Sequence, residues 1–267
     1  MNLDISGQTD TGLVRPNNED NFHIGEKRNL LVVADGMGGH ASGEVASRMA
    51  VDIIHDYFDE RKGSQPFIGT YQNEYSDGTN RLGSAIRLAN MAIHDLSEST
   101  SQYHGMGTTV VAVLINEKKL SIAHVGDSRV YLIRSQSIEQ LTDDHSVAYE
   151  QIKKEMMSRE EAESSNMRNI LTRALGVHPQ VEVDLCELTL MPGDRLVLCS
   201  DGLYSMVPDR DILTVITSMS ESSQACQALI KMANDNGGRD NITLIAAYIA
   251  KNSWFASFLN LMKRFRR

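Results

Sequence analysis

The chain has 267 residues, 41% hydrophobic and 23% charged: enough for one or two packed domains and too apolar for wholesale disorder. A formal net charge of −9 excludes an evenly basic nucleic-acid surface. Three scattered cysteines (Cys186, Cys199, Cys226), never in a CxxC pair, argue against a disulfide framework and a thiolate zinc site, and fit a reducing compartment.

The opening residues show no basic segment followed by an apolar run, so no secretory signal is read there. Glu19-Asp20 leads into Asn21–Ile24. Leu30–Ala34 reads as a strand and ends in Asp35-Gly36. Ser42–Phe58 is predicted helical, with Ala46, Met49, Ala50, Ile53, Ile54 and Tyr57 on one face. Gly63–Thr79 is polar and turn-rich, a surface loop, and Leu82–Leu96 repeats the helical period. Strands Thr108–Ile115 and Leu120–Val125 are predicted to form a hairpin about Asn116–Lys119, and the second ends in Gly126-Asp127-Ser128. A strand at Val130–Ile133 follows. Thr142–Asn169 is polar and acidic with a weak helical pattern, and reads as a mobile insertion. Strand Arg195–Cys199 ends in Ser200-Asp201-Gly202. Helices are predicted at Asp209–Ser218 and Ser222–Asn236, the latter stopped by Gly237-Gly238. Gly238-Arg239-Asp240-Asn241 then opens the strand Ile242–Ile249. Antiparallel-looking strand runs with paired helices indicate an α+β domain, helices packed on sheet faces.

One arrangement recurs: each of these acids sits at the end of a strand. A single Asp-Gly is more often an ordinary turn, and Asp127-Ser128-Arg129 or Arg239-Asp240-Asn241 can serve as salt bridges and caps. If the strand ends lie side by side, however, five or six carboxylates converge. Bare carboxylates that close repel one another, and a divalent cation removes the problem. Oxygen ligands without cysteine or spaced histidine favour Mg²⁺ or Mn²⁺ over zinc. Arg15, four residues before Glu19, either pairs with Glu19 at the surface or offers its fork to a phosphate beside the cations. Two metals and an arginine are what phosphoester hydrolysis requires.

The motifs RPNNED (15–20), DGMGGH (35–40), GTT (107–109), VGDSR (125–129), LTDDHS (141–146), TRALG (172–176), SDGLYSMV (200–207) and GRDNIT (238–243), in this order, resemble those of the metal-dependent protein serine/threonine phosphatases, the PPM or PP2C family, in its compact bacterial form. The resemblance spans about residues 7–249. It implies an α-β-β-α sandwich of two antiparallel sheets flanked by helix pairs, with a catalytic domain over 1–250 and a flap at about 142–169. It implies two Mn²⁺ or Mg²⁺ ions and a third, weaker one. Asp35 would bridge the pair, Gly36 would offer its carbonyl and Glu19 would hold the same ion. Asp201 and Asp240 would hold the other ion, and Asp127 with Asp201 the third. Asp20 and Asn241 would support these ligands from behind, and Arg15 would bind the substrate phosphate. Hydrolysis of phosphoserine and phosphothreonine monoesters would proceed by direct attack of metal-bound hydroxide, in the cytoplasm, opposing a serine/threonine kinase. Where animal-type members carry a histidine proposed as general acid, this chain has Met37; His40 is the candidate replacement, with a loop histidine as the alternative.

The tail stands apart. Lys251–Arg267 carries five basic residues and no acid, so removing it from the net −9 leaves −14 for residues 1–250. Trp254, Phe255, Phe258, Leu259, Met262 and Phe265 share a helical stripe, which suits an anionic membrane surface, an acidic partner or the chain's own body. No segment approaches the roughly 18 apolar residues of a membrane span. Two competing functions are a catalytically silent phospho-binding regulator on the same fold, and a two-metal phosphodiesterase or nuclease; the acidic body opposes the latter.

Overall fold

The computed structural model describes residues 2–25, 29–38, 42–63, 65–158, 161, 165, 167 and 170–250. His40 and the tail Lys251–Arg267 lie outside the described residues. Among the described residues, eleven strands form two antiparallel sheets. One has the order β1 (Leu3–Asp10), β11 (Ile242–Ile249), β10 (Arg195–Cys199), β7 (Arg129–Arg134), β8 (Ser137–Gln140). The other runs β2 (Asp20–Gly25), β3 (Leu30–Met37), β5 (Val110–Asn116), β6 (Lys119–Val125), β9 (Asp184–Thr189), with β4 (Gly107–Thr108) beside β3. Helices α1 (Ser42–Phe58) and α2 (Asp77–Ser99) cover the second sheet. A short helix α3 (Val147–Lys153) follows β8, and a single turn α4 (Asp201–Tyr204) follows β10. Helices α5 (Asp209–Ser218) and α6 (Ser222–Asp235) cover the first sheet. The expected α+β sandwich of two antiparallel sheets flanked by helix pairs is the fold observed.

Side-chain alternation builds three apolar layers from these strands. In β3, Leu30, Val32 and Ala34 face the α1–α2 pair, while Leu31 and Val33 face the other sheet. In β11, Leu244, Ala246 and Tyr248 face α5 and α6, while Ile245, Ala247 and Ile249 meet the opposing sheet. Both faces are buried, so the central strands read in sequence as unbroken apolar runs.

Three strands, β1, β8 and β9, do not announce themselves in the sequence. All three are sheet edges, largely half-buried, with polar residues set among the apolar ones. Helix α2 starts at Asp77, earlier than its apolar period suggests, because its polar first turn is satisfied by partners elsewhere. Thr79 Oγ1 donates to Glu187 at 2.6 Å, and Asn80 Nδ2 donates to Gln72 O at 2.9 Å. The insertion after β8 is anchored at its base: Thr142, Asp144, His145 and Ser146 are buried. Val147 N donates to Ile170 O and Thr172 N to His145 O, joining the two ends of the segment. Ser146 caps α3 by accepting from Tyr149 N. Among the described residues no helix is long and apolar enough to cross a membrane.

Candidate active site

The register of β2 and β3 sets Asp20 opposite Asp35. The Asp35 backbone is fixed on three sides: its N–H donates to Thr109 Oγ1 at 3.1 Å, and its carbonyl accepts from Thr109 N and Thr108 Oγ1, both at 2.8 Å. Asp127 emerges from β6 through Gly126. Asp201 follows β10 and Asp240 precedes β11; the pairing Cys199↔Leu244 brings both to one end of the first sheet. Asn241 joins the two sheets. Its Oδ1 accepts from Glu19 N at 2.8 Å, and its Nδ2 donates to Thr11 O and Asn17 O at 2.9 Å each. Gly36 has no room for a side chain, since an added Cβ would lie 2.1 Å from Gly43 O.

Arg15, Glu19, Asp35, Gly36, Asp127, Asp201, Asp240 and Asn241 therefore line one cleft of about 580 Å³. Asp20 is buried behind it, its Oδ2 accepting from Ser200 Oγ at 2.7 Å. Arg15 Nη2 reaches Asp240 Oδ2 at 2.7 Å rather than Glu19, and its half-exposed side chain lines the cleft. The structural reading of Asp127-Ser128-Arg129 is realised as well, but in Arg129, whose guanidinium grips Asp144 and stacks on Tyr204 at 3.6 Å from the ring centre.

The charges are in conflict. Burial, then Asp20 and Asp201, push Asp35 well above the usual carboxylate range; burial, then Asp127 and Asp240, do the same to Asp201. Asp20 is pushed up to about 6 by burial, against the Ser200 hydroxyl that favours its charged form. Asp127 is pushed up to about 6 by burial and then by Asp144. Asp20 Oδ1 is buried without a hydrogen-bond partner. An oxygen-only donor set under mutual repulsion, with such an orphaned oxygen behind it, fits a hard divalent cation. The only cysteine nearby, Cys199, is no rival nucleophile: it is wholly buried and burial pushes its thiol up.

The sequence profile described as protein phosphatase 2C matches residues 15–237. The chain belongs to the protein phosphatase 2C family. It is 39% identical over 243 residues to the serine/threonine phosphatase stp of Listeria monocytogenes serotype 4b, covering 89% of this chain and 92% of that protein. The crystal structure of the Mycobacterium tuberculosis phosphatase PstP/Ppp is similar with a TM-score of 0.82 and 37% identity, over 93% of this chain and 99% of that one. A PstP catalytic domain in complex with two manganese ions is similar with a TM-score of 0.80 and 36% identity, over 93% and 99% of the two chains. This protein phosphatase 2C is thus an enzyme of the serine/threonine phosphatase class that acts on phosphoproteins, and the donor set of its cleft fits a divalent cation.

Several residues of this phosphatase carry more of the cleft than the sequence motifs alone assign to them. Thr108 and Thr109, noted only as part of GTT, hold the Asp35 backbone. Met37 lines the cleft, where its thioether can donate no proton. The far wall comes from Leu171–Glu182, beyond the flap boundary at 169, and includes Arg173, Val177 and His178. TRALG was the available signal for the start of that wall; the residues after it have no motif.

Proposed function

We propose that this enzyme hydrolyses phosphoserine and phosphothreonine monoesters without a phosphoenzyme, in a catalytic domain spanning 1–250 with a flap at about 142–169. The convergence of Glu19, Asp35, Asp127, Asp201 and Asp240 with Arg15 in one cleft carries this reading. In it Asp35, with Gly36 O and Glu19 on one side and Asp201 and Asp240 on the other, would hold a pair of cations, and Asp127 with Asp201 would hold a third. When bound, such cations lower the pKa of a water and neutralise phosphoryl oxygens. Asp20 and Asn241 hold the ligands in place, Asn241 by fixing the Glu19 backbone. Arg15 keeps one N–H on Asp240 and turns the rest of its fork to the phosphate.

The test is Mn²⁺-dependent phosphate release from a phosphothreonine peptide, set beside a phosphodiester. Turnover of the monoester alone supports the assignment. Binding without turnover would mark a silent phospho-binding regulator, and preference for the diester a nuclease. Arg15→Ala should lower kcat/KM by about 10- to 100-fold, the worth of a charge-assisted pair, mostly through KM. Arg15→Lys should recover only part of this, since an ammonium lacks the fork. Unchanged kinetics in both variants would remove Arg15 from the site.

The reading also includes a kinase of the serine/threonine class as the opposing partner, no nucleic-acid ligand, and a cytoplasmic setting. The segment 251–267, apolar on one side of its helical period and basic on the other, is assigned to an anionic membrane surface. Truncation after Ala250 should abolish co-sedimentation with phosphatidylserine vesicles and leave peptide hydrolysis in solution unchanged; equal sedimentation of both forms would refute the assignment.

A further inference from the structure

Among the described residues, one set of ligand-type side chains meets outside the carboxylate cleft. Ligand atoms of His124, His145 and Asp184 fall within 4.8 Å of one another, and both rings are buried. The hydrogen bonds argue against a cation there. His145 Nδ1 accepts the Gly126 amide at 3.0 Å, an arrangement that leaves Nδ1 without a proton and puts the ring's N–H on Nε2. Nε2 then has no lone pair for a metal. It lies 3.2 Å from Asp184 Oδ2, off the ring's N–H axis. His124 Nε2 pairs with Asp143 O at 2.9 Å, and the His124 ring stacks on His145 with centroids 4.7 Å apart.

What this set holds is a turn. His145 grips Gly126 twice, once through Nδ1 and once by donating its own N–H to Gly126 O at 3.0 Å. Gly126 is left-handed, at φ +105°, and a Cβ there would sit 2.5 Å from Thr109 Cβ, so no side chain of its own can fix the turn. The next residue is Asp127, which lines the cleft. On the far side, Asp184 Oδ1 accepts from Arg173 Nη1 at 2.6 Å, and Arg173 lines the same cleft. A run of contacts thus leaves the cleft at Arg173, passes through Asp184 and His145, and returns to it at Asp127.

We propose that His145 is a positioning residue that aims Asp127 into the cleft by clamping Gly126, with Asp184 and Arg173 holding the ring in place. Removing the ring leaves a buried amide unpaired and frees the turn to rotate Asp127 away. The proposal rests on the reading of Asp127 as a cation ligand, and the experiment separates the two.

Mn²⁺ binding is measured by titration calorimetry on the full chain for wild type, Asp127→Ala, His145→Ala and His145→Asn, with folding checked by circular dichroism. Asp127→Ala should lose the weakest Mn²⁺. His145→Ala should weaken that same ion about 10-fold and spare the tighter pair, the usual consequence of removing a residue that orients a ligand. His145→Asn should recover most of the affinity, because the amide Oδ1 falls where Nδ1 lies and accepts the same N–H. A folded His145→Ala that binds every Mn²⁺ like wild type, while Asp127→Ala loses one, overturns the proposal. Wild-type binding by Asp127→Ala instead overturns the reading of Asp127. If His145→Ala does not fold, His145→Asn is compared with His145→Gln; affinity in the glutamine variant equal to or above the asparagine one overturns the clamp. Independently of metal, the ¹⁵N spectrum of the His145 ring should show its proton on Nε2, and a proton on Nδ1 overturns the proposal.

Discussion

Asp35→Asn is expected to lower kcat on a phosphothreonine peptide by about 10³-fold or more, a barrier increase of about 4 kcal/mol. The substitution keeps shape and removes charge. The fold around it should survive, because the Asp35 backbone is held by Thr108 and Thr109 through main-chain groups that asparagine retains. The carboxylate, by contrast, faces Asp20, Asp201, Asp127 and Asp240, whose mutual repulsion at neutral pH a bound divalent cation would relieve. Steady-state kinetics across a Mn²⁺ titration measure the effect. Turnover within ten-fold of wild type would mean that the cleft does not work through Asp35. The same variant, melted in EDTA at pH 8, should be at least as stable as wild type, since it removes a carboxyl that burial and its acidic neighbours disfavour in the charged form.

The second large effect is on stability. In EDTA the protein should lose stability as pH rises from about 4 to 7, opposite to the trend of a protein held by ion pairs. Asp20 and Asp127 rise from an ordinary 3.8 to about 6 in the folded state. Between those values the folded chain binds more protons than the unfolded one, so unfolding becomes easier with each step in pH. Their contribution is fully present below 3.8 and lost as pH passes about 6. Asp35 and Asp201 act in the same direction. Below about pH 4 the trend reverses. Asp184, held down by His145 and Arg173, and Glu187, at about 2 with Lys119, Ser76 and Thr79 around it, lose their partners' benefit on protonation. The melting temperature in EDTA should therefore drop by about 10 °C between pH 5 and pH 8. Saturating Mn²⁺ should abolish the drop and raise the melting temperature at pH 8, by about 3 kcal/mol of stability at a hundredfold excess over Kd. A flat or rising curve in EDTA would show that the acids do not confront one another in the folded chain.

The central strands were legible because both faces of each sheet are buried, and every residue of β11 is apolar or threonine. The edge strand β1, Leu3-Asp4-Ile5-Ser6-Gly7-Gln8-Thr9-Asp10, carries polar residues that a one-sided strand tolerates, and it blends with the turns around it. The acids of the site were legible as types at strand ends, and their order supplied the family. Their convergence is a property of register: Asp20 opposite Asp35, Asp201 beside Asp240, none of it visible along the chain. His145 was harder still. Within LTDDHS it offers no sign that its partner is the amide of Gly126, nineteen residues earlier.

Asp20 and Asp35 belong to one sheet, Asp201 and Asp240 flank strands of the other, Asp127 lies in the connection between β6 and β7 that joins the two, and Asn241 and Ser200 bond across. Hydrolytic competence therefore depends on how the two halves of the sandwich are aligned. A slip of one layer past its neighbour by a single strand residue, about 3.3 Å, would dismantle the centre while leaving either half intact. Loss of catalysis is then an early alarm for slippage, sounding before any spectroscopic sign of melting.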